Sequence, residues 1–144
     1  MIDDGRCSLE GRIENHKSKI IALRDCEEFV AGDRSILREL LHPDKADLAI
    51  RYSLAHARVR PGEKTTPHRL RTAEVYYIIE GQGRMHIDAE SSEVVAGSAV
   101  YIPPRSIQHI ENTGTQDLVF LCIVDPAWRA QDEEVLDPRD LSGQ

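Results

Sequence analysis

The chain has 144 residues, of which 40% are hydrophobic and 30% charged, and its formal net charge is −7. Such a length and composition suit one soluble globular domain, and the negative balance excludes nucleic acid and anionic membrane surfaces as general partners. No apolar run approaches the ~20 residues that span a bilayer, and three scattered cysteines without C-x-x-C spacing (Cys7, Cys26, Cys122) exclude a disulfide framework or zinc knot.

In chain order, the polar start MIDDGRCSLEG lacks an apolar export core, so a cytoplasmic protein with reduced thiols is expected. Residues 1–18 read as a loose arm. Short apolar runs then predict strands over 19–23, 36–41, 49–59, 75–79, 84–88, 98–102, 107–112 and 118–124. Gly or Pro marks the reversals between them, in HPDKAD, RPGE, EGQG, AGS and NTGT. Segment 33–41, DRSILRELL, also has helix-compatible spacing, but the β pattern of everything after it favours a strand. Asp125-Pro126 reads as a helix start, followed either by a short helix over 132–136 or by an extended tail. Trp128 is expected to pack this tail, 127–144, onto a β-domain spanning 19–126. Cys122, inside LVFLCIVD, reads as core, and His16 and His42 as surface. Many short strands without long helices predict an all-β sandwich or jelly roll, a fold that holds ligands in its mouth.

Two spacings carry chemistry. The first is Gly62-x5-His68-x-Leu70-x3-Glu74-x6-Gly81, and the second is Gly97-x5-Pro103-x-Arg105-x2-Gln108-x3-Asn112. Residues two apart in a strand share a face, so His68 and Leu70 point one way, as do Glu74, Tyr76 and Ile78. These stretches resemble the two motifs of the cupin superfamily, in order and over roughly residues 50–124. The resemblance implies a cupin jelly-roll β-barrel, commonly a homodimer, whose motif residues (three histidines and a glutamate) bind a divalent metal. Here the corresponding positions are His68, Leu70, Glu74 and Gln108. Leucine cannot ligate, and an amide is a weaker donor than imidazole.

Two readings follow. In the first, His68, Glu74 and Gln108 hold Zn, Mn, Fe or Ni with water in the open positions, and the protein is an enzyme of the isomerase, dioxygenase, decarboxylase or lyase class. Glu74, if not ligating, is the catalytic base, its pKa raised by the apolar floor that Leu70 makes. In the second, the barrel is a metal-free module that binds a small sugar or organic acid. Under either reading a small polar or anionic molecule sits in the barrel against Leu70, Tyr76 and Tyr101. Arg105 is placed to grip a carboxylate or phosphate by two parallel bonds. Arg58, Arg60, Lys64, Arg69 and Arg71 face only Glu63 in sequence and form a local basic stretch. Arg69 and Arg71 are expected to point outward. His56 and His86 are the candidates to repair the donor set, and His109 should face away from Gln108.

Overall fold

The structure is a computed structural model, and it describes residues 17–136. The described residues form eleven strands: β1 (Phe29–Val30), β2 (Ile36–Leu41), β3 (Ser53–Val59), β4 (His68–Leu70), β5 (Ala73–Glu80), β6 (Gln82–Ile87), β7 (Glu90–Val95), β8 (Ala99–Ile102), β9 (Gln108–Asn112), β10 (Leu118–Asp125) and β11 (Glu133–Val135). They make two antiparallel sheets, one in the order β1-β2-β3-β10-β5-β8 and one in the order β11-β4-β9-β6-β7. The ambiguous segment 33–41 resolves into a turn and then β2, which pairs with β3 through Leu37↔Ala57 and Arg38↔His56.

Alternation sets the interior. Along β5 the inward positions run Ile78, Tyr76, Glu74; along β10 they run Phe120, Cys122, Val124; along β3, Ala57, Ala55, Ser53. Ile78, Phe120 and Ala57 belong to one buried cluster with Met85, Ile102, Ile110 and Leu118. Burying such side chains contributes about 1.5–3 kcal/mol each, so this end of the barrel holds the two sheets together. Tyr76 packs on Phe120 in a tilted ring contact with centroids 4.5 Å apart and marks the border. Beyond it the inward positions become polar and a cavity opens. The β5–β6 turn needs glycine: Gly81 has φ +87°, and a Cβ there would stand 2.6 Å from the Asp117 carbonyl oxygen.

Several elements differ from the sequence reading. Residues 19–23 form no strand; the chain is extended there and enters a 3-10 turn at Leu23–Asp25. Among the described residues their apolar pattern finds no neighbouring strand, and Ile20 is 97% exposed. β7, with the sequence ESSEVV, was not anticipated, because only Val94 of its six residues is buried. The segment 49–59 becomes regular only at Ser53. After Asp125 the chain makes a 3-10 turn at Ala130–Asp132 and then β11, which pairs with β4 through Glu133↔Leu70 and Val135↔His68. His42 is buried, not on the surface: its Nε2 lies 2.6 Å from the Trp128 carbonyl oxygen, and its Nδ1 accepts from the Asp44 N–H. That contact and the bond from the Trp128 N–H to Ser53 Oγ tie the post-barrel segment to the fold. His16 and Cys7 lie outside the described residues.

Candidate functional site

The polar end of the barrel encloses a cavity of about 130 Å³, with room for a few waters or one small molecule. β4, β5, β3 and β10 supply its walls through His68, Leu70, Glu74, Tyr76, Ser53 and Cys122, and Phe29, Asp33, Trp128 and Glu133 close it. Gln108 stands one layer behind. It is fully buried, and β9 brings it directly opposite His68 on β4. The three residues that sequence spacing grouped on separate β-segments thus meet at one end of one barrel.

Their hydrogen bonds are specific. Tyr76 Oη donates to Gln108 Oε1 at 3.0 Å, and Gln108 Nε2 donates to Glu74 Oε1 at 2.9 Å. The amide orientation follows from these partners. Glu74 is buried, and its pKa is pushed up to about 7. Burial is the main cause; the His68 charge and the Gln108 bond work against it, and Asp33 and Glu133 add to it. Tyr76 is held well above its ordinary value by burial and then by Glu74. Burial likewise raises Cys122, so its thiol stays protonated and inert.

His68 is fixed from both sides. Its Nδ1 lies 2.9 Å from the Thr66 carbonyl oxygen, which can only accept, so Nδ1 carries the proton. Nε2 is then the exchangeable position, and it lies 3.7 Å from Asp33 Oδ2. Asp33 is itself anchored, because Ser35 donates to its Oδ1 from both the backbone N–H (3.0 Å) and Oγ (2.7 Å). The Thr66 N–H donates to the Asp33 carbonyl oxygen and closes the ring of contacts. Glu133, from β11, has its pKa raised by burial first, with Asp33 adding to it and His68 opposing.

Asp33 and Glu133 are the cavity residues that sequence reasoning missed. Asp33 had one signal, the D-x-S spacing of an Asx turn before a strand. Glu133 had none, because only the pairing of β11 with β4 carries it to the cavity.

Two residues assigned to ligand binding lie elsewhere. Tyr101 is 63% exposed on the outer face of β8, since its neighbour Ile102 takes the inward position. Arg105, in the loop after Pro103-Pro104, joins Arg69, Arg71 and Asp132 in a shallow depression on the other side of β4. Arg69 points outward and pairs with Glu134 at 2.8 Å. His56 and His86 face away from the cavity as well. His56 shares the outer face of β3 with Arg38, its cross-strand partner. His86 stacks on His109, ring centroids 4.2 Å apart, on the outside of the smaller sheet.

The donor set does not fit a transition metal. Leu70 occupies one inward position, the Gln108 amide oxygen is taken by Tyr76, and neither His56 nor His86 reaches the site. Among the described residues, no three His, Cys, Asp or Glu side chains are arranged to hold a metal ion. No helix among them is long and apolar enough to cross a membrane.

Fold and site together define a small double-sheet β-barrel with an imidazole, carboxylates and a buried amide at one end of its interior. The chain belongs to the Cupin_2 family of cupin domains, whose model matches residues 55–124. An uncharacterized protein of Methanocaldococcus jannaschii is 43% identical to it over 110 residues, covering 76% of this chain and 87% of that one. The oxalate-binding protein of Thermotoga maritima is 32% identical over 88 residues, covering 60% of this chain and 68% of its own. Among solved structures, the polyketide cyclase RemF of Streptomyces resistomycificus superposes with a TM-score of 0.71 at 20% identity, covering 89% of this chain and 94% of its own. That likeness shows the fold alone.

Proposed function

We propose that the barrel binds a small polar molecule and transfers protons on it without a metal, with Glu74 and His68 as the acid–base pair. One observation carries this reading: Gln108 holds one oxygen of a buried carboxyl poised near pH 7, in the same cavity as a histidine whose tautomer is fixed. A group with a pKa near the working pH both gives and takes protons effectively. Glu74 Oε2 is the proton carrier, Gln108 and Tyr76 orient the carboxyl, and Asp33 stabilises the imidazolium when His68 Nε2 takes a proton. Leu70, Phe29 and Phe120 keep the cavity apolar, which strengthens these charges. The substrate class is a small hydroxy-carbonyl compound, and the reaction is isomerisation or elimination.

The test is solvent exchange. The protein is incubated in D2O with a panel of small hydroxy-aldehydes, hydroxy-ketones and hydroxy-acids, and deuterium incorporation is followed by NMR. Exchange on at least one compound, lost in Glu74→Gln, is expected. Thermal stabilisation by a panel member with no exchange on any would instead favour the second reading, a binding module for a small organic acid. The likeness to an oxalate-binding protein supports that alternative, so oxalate belongs on the panel. In this alternative His68 Nε2, beside Asp33, is the nitrogen that faces the bound acid, because Lys45 on the same cavity wall is bound to Glu39 at 2.6 Å.

A further inference from the structure

Charge at the cavity wall is unbalanced. Among the described residues four acids line it, Asp33, Glu39, Glu74 and Glu133, against Lys45 and His68. Lys45 and Glu39 neutralise each other at 2.6 Å, which leaves three carboxyl groups facing one imidazole. Glu74 is neutral when it keeps its proton, and His68 is positive when it takes one. Asp33 and Glu133 still outweigh that single positive charge. After burial, the main cause, Asp33 adds to the raised pKa of both Glu74 and Glu133, as crowded like charges do. An organic acid here meets a wall of its own sign, and a cation meets the opposite one.

Hydrogen-bonding capacity is unbalanced in the same direction. His68 Nδ1 donates to the Thr66 carbonyl oxygen, so Nε2 of the neutral ring is an acceptor. Asp33 Oδ2 faces it at 3.7 Å, too far for a hydrogen bond, and is an acceptor as well. Gln108 takes up only Oε1 of Glu74. A ligand that brings N–H donors together with positive charge completes these acceptors at once.

The walls supply a third feature. Both phenylalanines of the chain, its single tryptophan and one of its four tyrosines line this one cavity, as Phe29, Phe120, Trp128 and Tyr76. Phe29 is 44% exposed, so its ring stands at the mouth and not in the core. Trp128 is pinned through its backbone, its N–H donating to Ser53 Oγ and its carbonyl oxygen meeting His42 Nε2. Aromatic faces attract organic cations, more strongly where water is excluded.

We infer that the molecule bound in the barrel is a protonated amine, its ammonium lying among Asp33, Glu133 and His68 and its carbon skeleton packing on Phe29 and Trp128. This rests on the cavity being a ligand site, as proposed above, and not on proton transfer within it. It narrows the hydroxy-carbonyl class to members that also carry an amino group.

The experiment compares a cation, a neutral molecule and an anion of one skeleton, isobutylamine, isobutanol and isobutyrate, by NMR titration of the full chain near neutral pH. The amine is expected to bind about 10-fold more tightly than the alcohol or better, and the acid most weakly. Asp33→Asn and Glu133→Gln, with folding checked by circular dichroism, should each weaken the amine about 10-fold and leave the alcohol within about twofold. Trp128→Leu should weaken the amine several-fold more than the alcohol. An alcohol or acid that binds as tightly as the amine overturns the inference. An amine without saturable binding up to about 50 mM, a generous ceiling for so small a molecule, does so too, as does one indifferent to both carboxyl variants. Selective amine binding without deuterium exchange sinks the proton-transfer reading alone. Exchange on an uncharged compound, with no preference for the amine, sinks this inference alone.

Discussion

The two faces of the smaller sheet carry the same residue types to opposite ends. On the inner face, β4 and β9 present His68 and Gln108, and each polar group there meets a named partner: Thr66, Asp33, Glu74 or Tyr76. On the outer face, β6 and β9 present His86 and His109, stacked in parallel, with His86 Nε2 buried and unpartnered and 3.6 Å from Glu111. The residues are the same kind and the strands are neighbours. Partnership differs: one face fixes tautomers and a carboxyl orientation, and the other holds its histidine pair by stacking and a 3.6 Å approach to Glu111 with no hydrogen bond to His86 Nε2. Buried polar groups with complete partners cost little and specify geometry, which is why the inner face is the candidate site and the outer one is not.

The largest break in this comparison comes from chemistry. Glu74→Gln should reduce deuterium exchange by about 100-fold or more, the usual worth of a positioned acid–base group. His86→Phe on the outer face should leave exchange within about twofold, since that side chain touches nothing in the cavity.

Next comes the pH dependence of stability, which should have opposite signs on the two faces. Glu74 keeps its proton to about 7 when folded and loses it near 4.5 when unfolded. Its contribution is therefore complete below pH 4.5 and lost as pH rises through 7, a change of roughly 3 kcal/mol. His109 is lowered to about 4, first by burial and then by His86. Its contribution is complete above pH 6.5 and lost as pH falls through 4. Urea unfolding at a series of pH values should show the first slope vanish in Glu74→Gln and the second in His109→Gln.

Smaller again is the cost of removing the link between the two buried oxygens. Gln108→Leu leaves Glu74 Oε1 and the Tyr76 hydroxyl unpaired, and should cost about 2 kcal/mol in urea unfolding. The smallest effects belong to residues the fold places outside. Tyr101→Ala and Arg105→Ala should change the affinity of any cavity ligand by less than about 0.5 kcal/mol in calorimetric titration.

Much of the inner face was legible in the sequence, because period-two alternation and fixed turns translate spacing directly into direction. His68, Leu70, Glu74 and Tyr76 were read that way, and so was the meeting of His68 with Gln108 across two strands. What failed has a physical reason in each case. Asp33 and Glu133 reach the cavity by long-range pairing, β11 on β4 and the β1–β2 turn over the barrel mouth, and spacing within a motif carries no trace of either. Tyr101 was placed inside although Ile102, one residue on, takes the inward position; a one-residue error in phase reverses a whole strand. Residues 19–23 look like a strand because their composition is that of one, but no neighbouring strand among the described residues pairs with them. The metal expectation came from motif spacing, and the leucine and the amide that weaken it were themselves legible in the sequence; the structure adds that the amide oxygen of Gln108 accepts from Tyr76.

The central claim is that Glu74 is a buried carboxyl tuned by its network to exchange protons near neutrality. Titration of its side-chain carboxyl by 13C NMR, with the resonance assigned through Glu74→Gln, tests it directly. A midpoint close to 7 that moves in Gln108→Leu is the predicted result. A midpoint near 4.5, or one indifferent to Gln108, would contradict the account.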